Sequence, residues 1–277
     1  VNLHHRPDSV RAALGDGSKF GVTLTYVDEP TILGTSGALD NARQLLDSET
    51  FIAINGKIIT DIDLNAALET HHSKKALATL VLLPNVARER FSVVETIDGF
   101  VTGFGGMPGA QPDSTIHAGP FMFTGIQILD PRIFDYIPPG VFSHSTTDVY
   151  PLAIARGERV AAHVAEGTWY ELSTIQRYLE VSLIMLAAFG KNVSSGARCR
   201  IDDEKDVSDS ILWDDVTIEA GARVSRAVVG DGVRIRSGET IENAAVVPAA
   251  LVKGKTPPAK ALKGEVRGDN FVVPLTR

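Results

Sequence analysis

Phe51-Ile-Ala-Ile-Asn-Gly-Lys-Ile-Ile-Thr-Asp-Ile-Asp-Leu64 is the stretch whose reading decides the fold. Its apolar opening, Phe51 to Ile54, reads as a short buried strand of the kind found inside a parallel sheet. Asn55-Gly56 breaks the run with a pair suited to a tight turn at positive φ. Lys57 follows at once. Open α/β sheets hold ligands just beyond the carboxyl ends of their strands, which aims Lys57 at a reaction centre. A surface lysine in a turn is the competing reading, and position alone does not choose between them.

Working outward, Val1 to His5 reads as the tail of a strand, and Asp8 or Ser9 as the cap of a helix from Val10 to Leu14. Val22 to Tyr26 is a β-branched, alternating segment that predicts a second strand. Downstream, Asp63 to His72 predicts a helix, and Ala76 to Leu83 a buried strand stopped by Pro84. Strands and helices in alternation predict a three-layer, Rossmann-like α/β domain with a mainly parallel sheet. His71 and His72 are adjacent and cannot share a helix face, so they predict a solvated helix end rather than a metal pair. Asp98-Gly99 between Phe91–Glu95 and Phe100–Phe104 predicts a hairpin. Gly125, inside an apolar run, reads as a strand glycine marking a bulge or a close backbone approach.

Composition sets the outer bounds. With 277 residues, 44% of them hydrophobic, the chain has material for one large domain or a medium and a small one. A net charge of −7 argues against a nucleic-acid partner. One cysteine, Cys199, excludes a disulfide framework and fits a cytoplasmic location. The longest apolar runs are too short to span a bilayer, so no membrane association is expected.

Past Gly190 the pattern changes. Leu212, Ile218 and Val224 are six apart, and Val229, Ile235, Ile241 and Val247 keep that period after a one-residue slip. Val193 and Cys199 show the same step. Six-residue spacing with glycines at 221, 232 and 238 predicts a β-helix. The expected division is therefore 1–190 for the α/β domain and 191–277 for the β-helix and tail. Asp202 to Asp206 is expected to interrupt the repeat as a surface loop, and Asn270 to Pro274 to pair as a last strand.

Several motifs resemble those of the sugar-1-phosphate nucleotidyltransferases, of the mannose-1-phosphate guanylyltransferase-like type. Asn55-Gly56-Lys57 with Thr60-Asp-Ile-Asp-Leu64 is similar to the family's "LNGD…TDIDL". Leu33-Gly-Thr-Ser-Gly-Ala-Leu39 is similar to "LGTAGAL", Thr124-Gly125 to its "TG" step, and Thr147-Asp-Val-Tyr-Pro151 to "TDVYP". Gly167 to Leu179 is similar to "G-x-W-x-D-I-G-T-P-E-x-Y-L". The resemblance implies a nucleotide site at Leu33, Gly34, Thr35, Gly37, Asn55 and Gly56, and a sugar-phosphate site at Thr124, Gly125, Asp148 and Trp169. For the glycine loop an ordinary loop–helix junction, and for Asp148 structural capping, stand as the alternatives. The hexapeptide part resembles the left-handed β-helix of such enzymes and is expected to mediate homo-oligomer formation through its flat faces. The chain opens in mid-pattern at Val1, and the family's glycine-rich "G-x-G-T-R-x-x-P" loop is expected upstream.

What the resemblance implies chemically is transfer of a nucleotidyl group from a nucleoside triphosphate to a sugar 1-phosphate with magnesium as cofactor. Two family aspartates hold that Mg²⁺. Here their positions are Lys57 and Glu171, which leaves Glu171 as the only metal-ligating candidate of the pair. Met107 stands where the family carries a phosphate-binding lysine. A Lys57–Glu171 ion pair in place of the metal bridge is the reading these departures suggest. The rival is a catalytically impaired paralogue that binds a nucleotide or nucleotide sugar and serves as a regulatory or scaffold subunit. An acyltransferase built on the β-helix is disfavoured, since no histidine follows His163.

Overall fold

The computed structural model describes residues 1–85, 93–105, 121–257 and 261–275. They form two compact units, Val1–Trp169 and Tyr170–Arg277. In chain order the first unit carries β1 (Asn2–Leu3), α1 (Pro7–Leu14), β2 (Val27–Asp28), α2 (Gly34–Asn41), α3 (Arg43–Leu46), β3 (Phe51–Ile54), β4 (Ile58–Thr60), α4 (Leu64–Lys74), β5 (Ala78–Pro84), β6 (Val93–Ile97), β7 (Phe100–Phe104), β8 (Phe121–Leu129), α5 (Tyr150–Ala155) and β9 (Val160–Val164).

A six-stranded sheet in the order β3-β8-β5-β9-β7-β6 forms the middle layer. Strand alternation divides the core. Ala78, Leu80 and Leu82 of β5 face one cluster with Leu129, Ile133, Phe134, Val149 and Tyr150. Val81 faces the other with Ile126, Ile128 and Ala67 of α4. The three layers are as expected, but the sheet is mixed. Within it β5 and β9 pair in parallel, and the other pairings are antiparallel. The reason is β8, which runs between β3 and β5 and opposes both. Its buried apolar run looks the same in sequence whichever way the strand points. The opening stretch is corrected too: β3 ends this strand order, with Ile52 and Ile54 38% and 47% exposed.

Other expectations also shift. The segment at Val22 to Tyr26 is not a strand; the pairing strand is β2, parallel to β1. Helix α1 starts at Pro7 with no side-chain cap, so neither Asp8 nor Ser9 caps it. Proline at the first helical position has its φ already set and no N–H to satisfy. His71 is buried, not solvated, and its Nδ1 lies 3.0 Å from Thr79 Oγ1 on β5. The β6–β7 hairpin stands as expected, with Asp98 and Gly99 both at positive φ, 52° and 74°.

The second unit opens with helix α6 (Ile175–Ala187), after strand β10 (Trp169–Glu171) that carries the chain across the division. Beyond it the chain winds in parallel coils. Leu212 pairs with Val229, Val229 with Val246, Ile218 with Ile235 and Val224 with Ile241, so one coil takes seventeen residues. Each coil makes two six-residue steps, Leu212 to Ile218 to Val224, and one of five, Val224 to Val229. The one-residue slip in the sequence thus recurs every turn, and Val246 rather than Val247 points inward, at 1% exposure. Asp202 to Asp206 is no interruption. It fits inside an ordinary six-residue step from Ile201 to Val207, with a 3-10 turn at Glu204–Asp206.

The corners repeat at the same pitch. Arg198, Asp215 and Gly232 have φ of 58°, 59° and 71°; Asp209, Arg226 and Asn243 have 47°, 48° and 47°. Carboxylates tie one coil to the next: Ala197 N–H donates to Asp214 at 2.8 Å, and Asp214 N–H to Asp231 at 3.0 Å. Asn270–Pro274 closes the stack by antiparallel pairing with Thr240–Pro248, as expected.

Helix α6 lays Tyr178, Leu179, Leu183 and Leu186 on Ile211, Val228 and Ala245 of the coils. Packing therefore puts the helix with the solenoid, although the sequence division was expected after it. The apolar outer face of the coils is the one α6 covers, and another face carries the exposed Arg200 and Arg234. No helix among the described residues is long and apolar enough to cross a membrane.

Candidate active site

The site is built at the carboxyl end of β3 and a bulge in β8. The β5–β8 register passes from Leu80–Gln127 to Leu82–Phe123, so β8 carries extra residues there. Gly125 sits in the bulge at φ 79°. Asn55 N–H donates to Gly125 O at 3.1 Å, and a β-carbon at 125 would collide with the Asn55 amide. Thr124 is buried, its hydroxyl donating to Val81 O at 2.8 Å. The Trp169 indole N–H donates to Thr124 O at 2.9 Å. Asn55, Thr124, Gly125 and Trp169, singled out from three separate segments, are thereby brought together. Gly56 and Lys57 form the exposed turn directly beyond Asn55.

Asp61 was missed by sequence reasoning. Its Oδ1 accepts from Thr168 N–H at 2.6 Å, and the Thr60 hydroxyl donates to Thr168 O at 2.7 Å. Gly167, at φ 122°, leaves room for that carboxylate, which a β-carbon would foul. The backbone N–H of Thr168 holds the Asp61 carboxyl below its ordinary value. Asp61 therefore positions the turn that delivers Trp169. No local signal announces a partner more than a hundred residues away; Asp63, two residues on, caps α4 in the ordinary way.

The glycine loop at the start of α2 forms a second cluster. Ser36 N–H donates to Ser143 O at 3.0 Å, and the hydroxyls of Ser36 and Ser145 lie 2.9 Å apart. Ser145 N–H donates to the Thr35 hydroxyl at 3.0 Å. Gly34 and Gly37 press against the backbone of Ser143 and Val141 so closely that β-carbons would clash. The Leu33 N–H donates to the buried Glu29 carboxylate at 2.6 Å, a second residue the sequence did not flag. Asp148 accepts from His144 N–H at 2.6 Å, across the turn that opens at Ser145. The structure thus joins the loop at 33–37 to the turn at 143–148 and gives each glycine a packing reason.

Glu171 ends β10, half-buried, in the second unit, whereas Lys57 lies in the first. A protonated amine has no lone pair to offer a hard cation, so the donor set at these two positions does not fit Mg²⁺. No group of three or more His, Cys, Asp or Glu suited to a metal occurs among the described residues. Met107 lies outside the described residues.

Comparison with known proteins decides the family. Residues 1–187 match the model of the nucleotidyl transferase family. The chain is a member of that family. Residues 182–246 match a second model, the GlmU-like C-terminal hexapeptide. This nucleotidyl transferase is 26% identical over 251 residues to a UTP–glucose-1-phosphate uridylyltransferase of Synechocystis, covering 85% of the chain and 64% of that protein. It is 26% identical over 261 residues to a mannose-1-phosphate guanylyltransferase of Mycobacterium tuberculosis, covering 87% and 69%. It is 31% identical over 182 residues to an N-acetylmuramate α-1-phosphate uridylyltransferase of Neisseria meningitidis, covering 63% and 72%. The chain thus spans about two thirds of the length of these relatives. Among solved structures, a candidate glucose-1-phosphate thymidylyltransferase of Bacillus anthracis shares the fold at a TM-score of 0.54 and 22% identity, covering 71% of this chain and 77% of that one.

Proposed function

We propose that this chain works as a sugar-1-phosphate nucleotidyltransferase. A phosphate oxygen of the sugar 1-phosphate attacks the α-phosphorus of a nucleoside triphosphate; the bond to the β-phosphate oxygen breaks, and pyrophosphate leaves. The sugar phosphate occupies the cradle of Thr124, Gly125 and Trp169, with Asp148 holding the turn at His144. The nucleotide lies along Leu33 to Gly37 and over Asn55-Gly56. Lys57 offsets the charge that develops on the phosphates, a role electrostatics makes large in a site of this kind. The observation that carries the reading is the contact of Asn55 with Gly125, which leaves bare backbone at a strand end beside Lys57.

The single cysteine, Cys199, supports a reducing, cytoplasmic setting. Association into a homo-oligomer through the second unit has less support, because α6 covers the apolar outer face of the coils.

Lys57 also favours a second reading, the binding-only paralogue, since an ammonium stands where the resemblance places a metal-holding carboxylate. One assay separates them. Purified protein is mixed with each nucleoside triphosphate and a panel of sugar 1-phosphates, with magnesium or with chelator, and pyrophosphate is measured. Release that survives chelation supports Lys57 as the cation. Release with ordinary magnesium dependence overturns that role. No release, together with a thermal shift by a nucleotide sugar, establishes the paralogue, and Lys57→Asp should then confer magnesium-dependent release.

A further inference from the structure

The hydroxyl pair of Ser36 and Ser145, 2.9 Å apart, is the first joint of a longer buried chain of hydrogen bonds. The Ser145 hydroxyl also bonds that of Tyr150, and the Tyr150 hydroxyl donates to Gln127 Oε1. A phenol has one proton to give, so Tyr150 accepts from Ser145, and Ser145 accepts from Ser36. Ser36, Ser145, Tyr150 and Gln127 are 0%, 4%, 1% and 7% exposed. Tyr150 packs among Leu80, Phe104 and Leu129, so a lost partner would leave a hydroxyl buried and unpaired.

The two ends belong to the two halves of the site. Ser36 sits in the glycine loop at the start of α2. Gln127 lies on β8 between Ala53 of β3 and Leu80 of β5. It is two residues from Gly125, whose carbonyl accepts from Asn55 N–H. Ser36 is also a departure within its own motif: "LGTAGAL" has alanine there, and alanine would cut the chain at Ser145. Each joint is directional, so loop and strand cannot shift against each other without straining a buried bond.

We propose that Ser36, Ser145, Tyr150 and Gln127 are positioning residues that couple the two substrate subsites. On the functional reading above, which this coupling presupposes, the nucleoside triphosphate lies on the loop and the sugar 1-phosphate beside Thr124 and Gly125. Whichever ligand binds first orders both ends of the chain. The second then meets a subsite already set and binds more tightly.

Calorimetry on the full chain measures the coupling. The probes are the α,β-methylene analogues of UTP and GTP, which cannot release pyrophosphate, with glucose 1-phosphate and mannose 1-phosphate. In the parent, saturation with one ligand should tighten binding of the other by about fivefold or more. Tyr150→Phe, which removes only the hydroxyl, should bring that factor below about twofold and leave each affinity on its own within about twofold of the parent. Ser36→Ala should do the same, and it keeps the test open if Tyr150→Phe does not fold, since alanine suits a helix. Binding of both ligands without coupling overturns this proposal alone, as does coupling that survives Ser36→Ala. A fall in each separate affinity as large as the fall in coupling overturns it too, because the bonds would then only hold the fold. A parent that binds neither ligand, or only one, sinks the functional reading and the coupling with it.

Discussion

The Asn55 amide lies where a side chain at residue 125 would have to be, and Asn55 N–H donates to the Gly125 carbonyl at 3.1 Å. One glycine thus fixes how closely the end of β3 approaches the bulge of β8. Its φ of 79° adds a second reason that no other residue suits the position. Gly125→Ala combines left-handed strain with overpacking and should cost about 2–4 kcal/mol. Urea denaturation checks the loss. A variant as stable as the parent would mean that β8 shifts freely and that the close approach is not required.

The Asp61–Thr168 bond should show in acid. The depressed carboxyl is ionised in the folded chain, so its contribution is present above the ordinary value of 3.8 and is lost as pH falls through the folded value. Asp61→Asn should lower the melting temperature at neutral pH, flatten its acid limb, and change the emission of Trp169, which the same turn positions. Unchanged melting and emission would show that the Gly167-Thr168 turn holds itself.

His71 and His163 predict a second pH effect. Burial pushes both below the ordinary value of 6.5, and each meets a threonine hydroxyl, Thr79 and Thr70 respectively. The folded protein keeps them neutral, while the unfolded chain takes up protons below that value. Stability should therefore be full above about pH 6.5 and decline as pH falls toward the depressed values. His71→Asn should lower the melting temperature yet reduce its slope between about pH 7.5 and pH 5.5. A parental slope in that variant would remove His71 from the account.

At the solenoid corners, Arg226 adopts φ 48° between Asp209 and Asn243 in the same column. Arg226→Gly relieves left-handed strain and should stabilise by about 0.5–1 kcal/mol after the glycine entropy cost. Asn243→Gly should gain less, because asparagine tolerates this conformation. Arg226→Val should destabilise, since a β-branched side chain resists positive φ. Thermal melts rank the three, and a reversed order would show that the corner is not strained.

The departure at Lys57 and the likeness around Trp169 were legible as residues, as were the hairpin at Asp98-Gly99 and the last strand at Asn270–Pro274. Each rests on local chemistry: a turn pair, a capping threonine or an aliphatic period. Strand direction was not legible, because a buried apolar strand has the same composition whichever way it runs; β8 turned an expected mainly parallel sheet into a mixed one in which only β5 and β9 pair in parallel. The seventeen-residue coil appeared in sequence only as a slip, since a shortened step shows its meaning when coils are stacked and Val229 meets Val246. Asp61, Glu29 and the buried His71 were decided by tertiary contacts alone. Hydrogen-bond partners distant along the chain leave no mark in the residues between them, whereas periodicity and turn chemistry are written residue by residue.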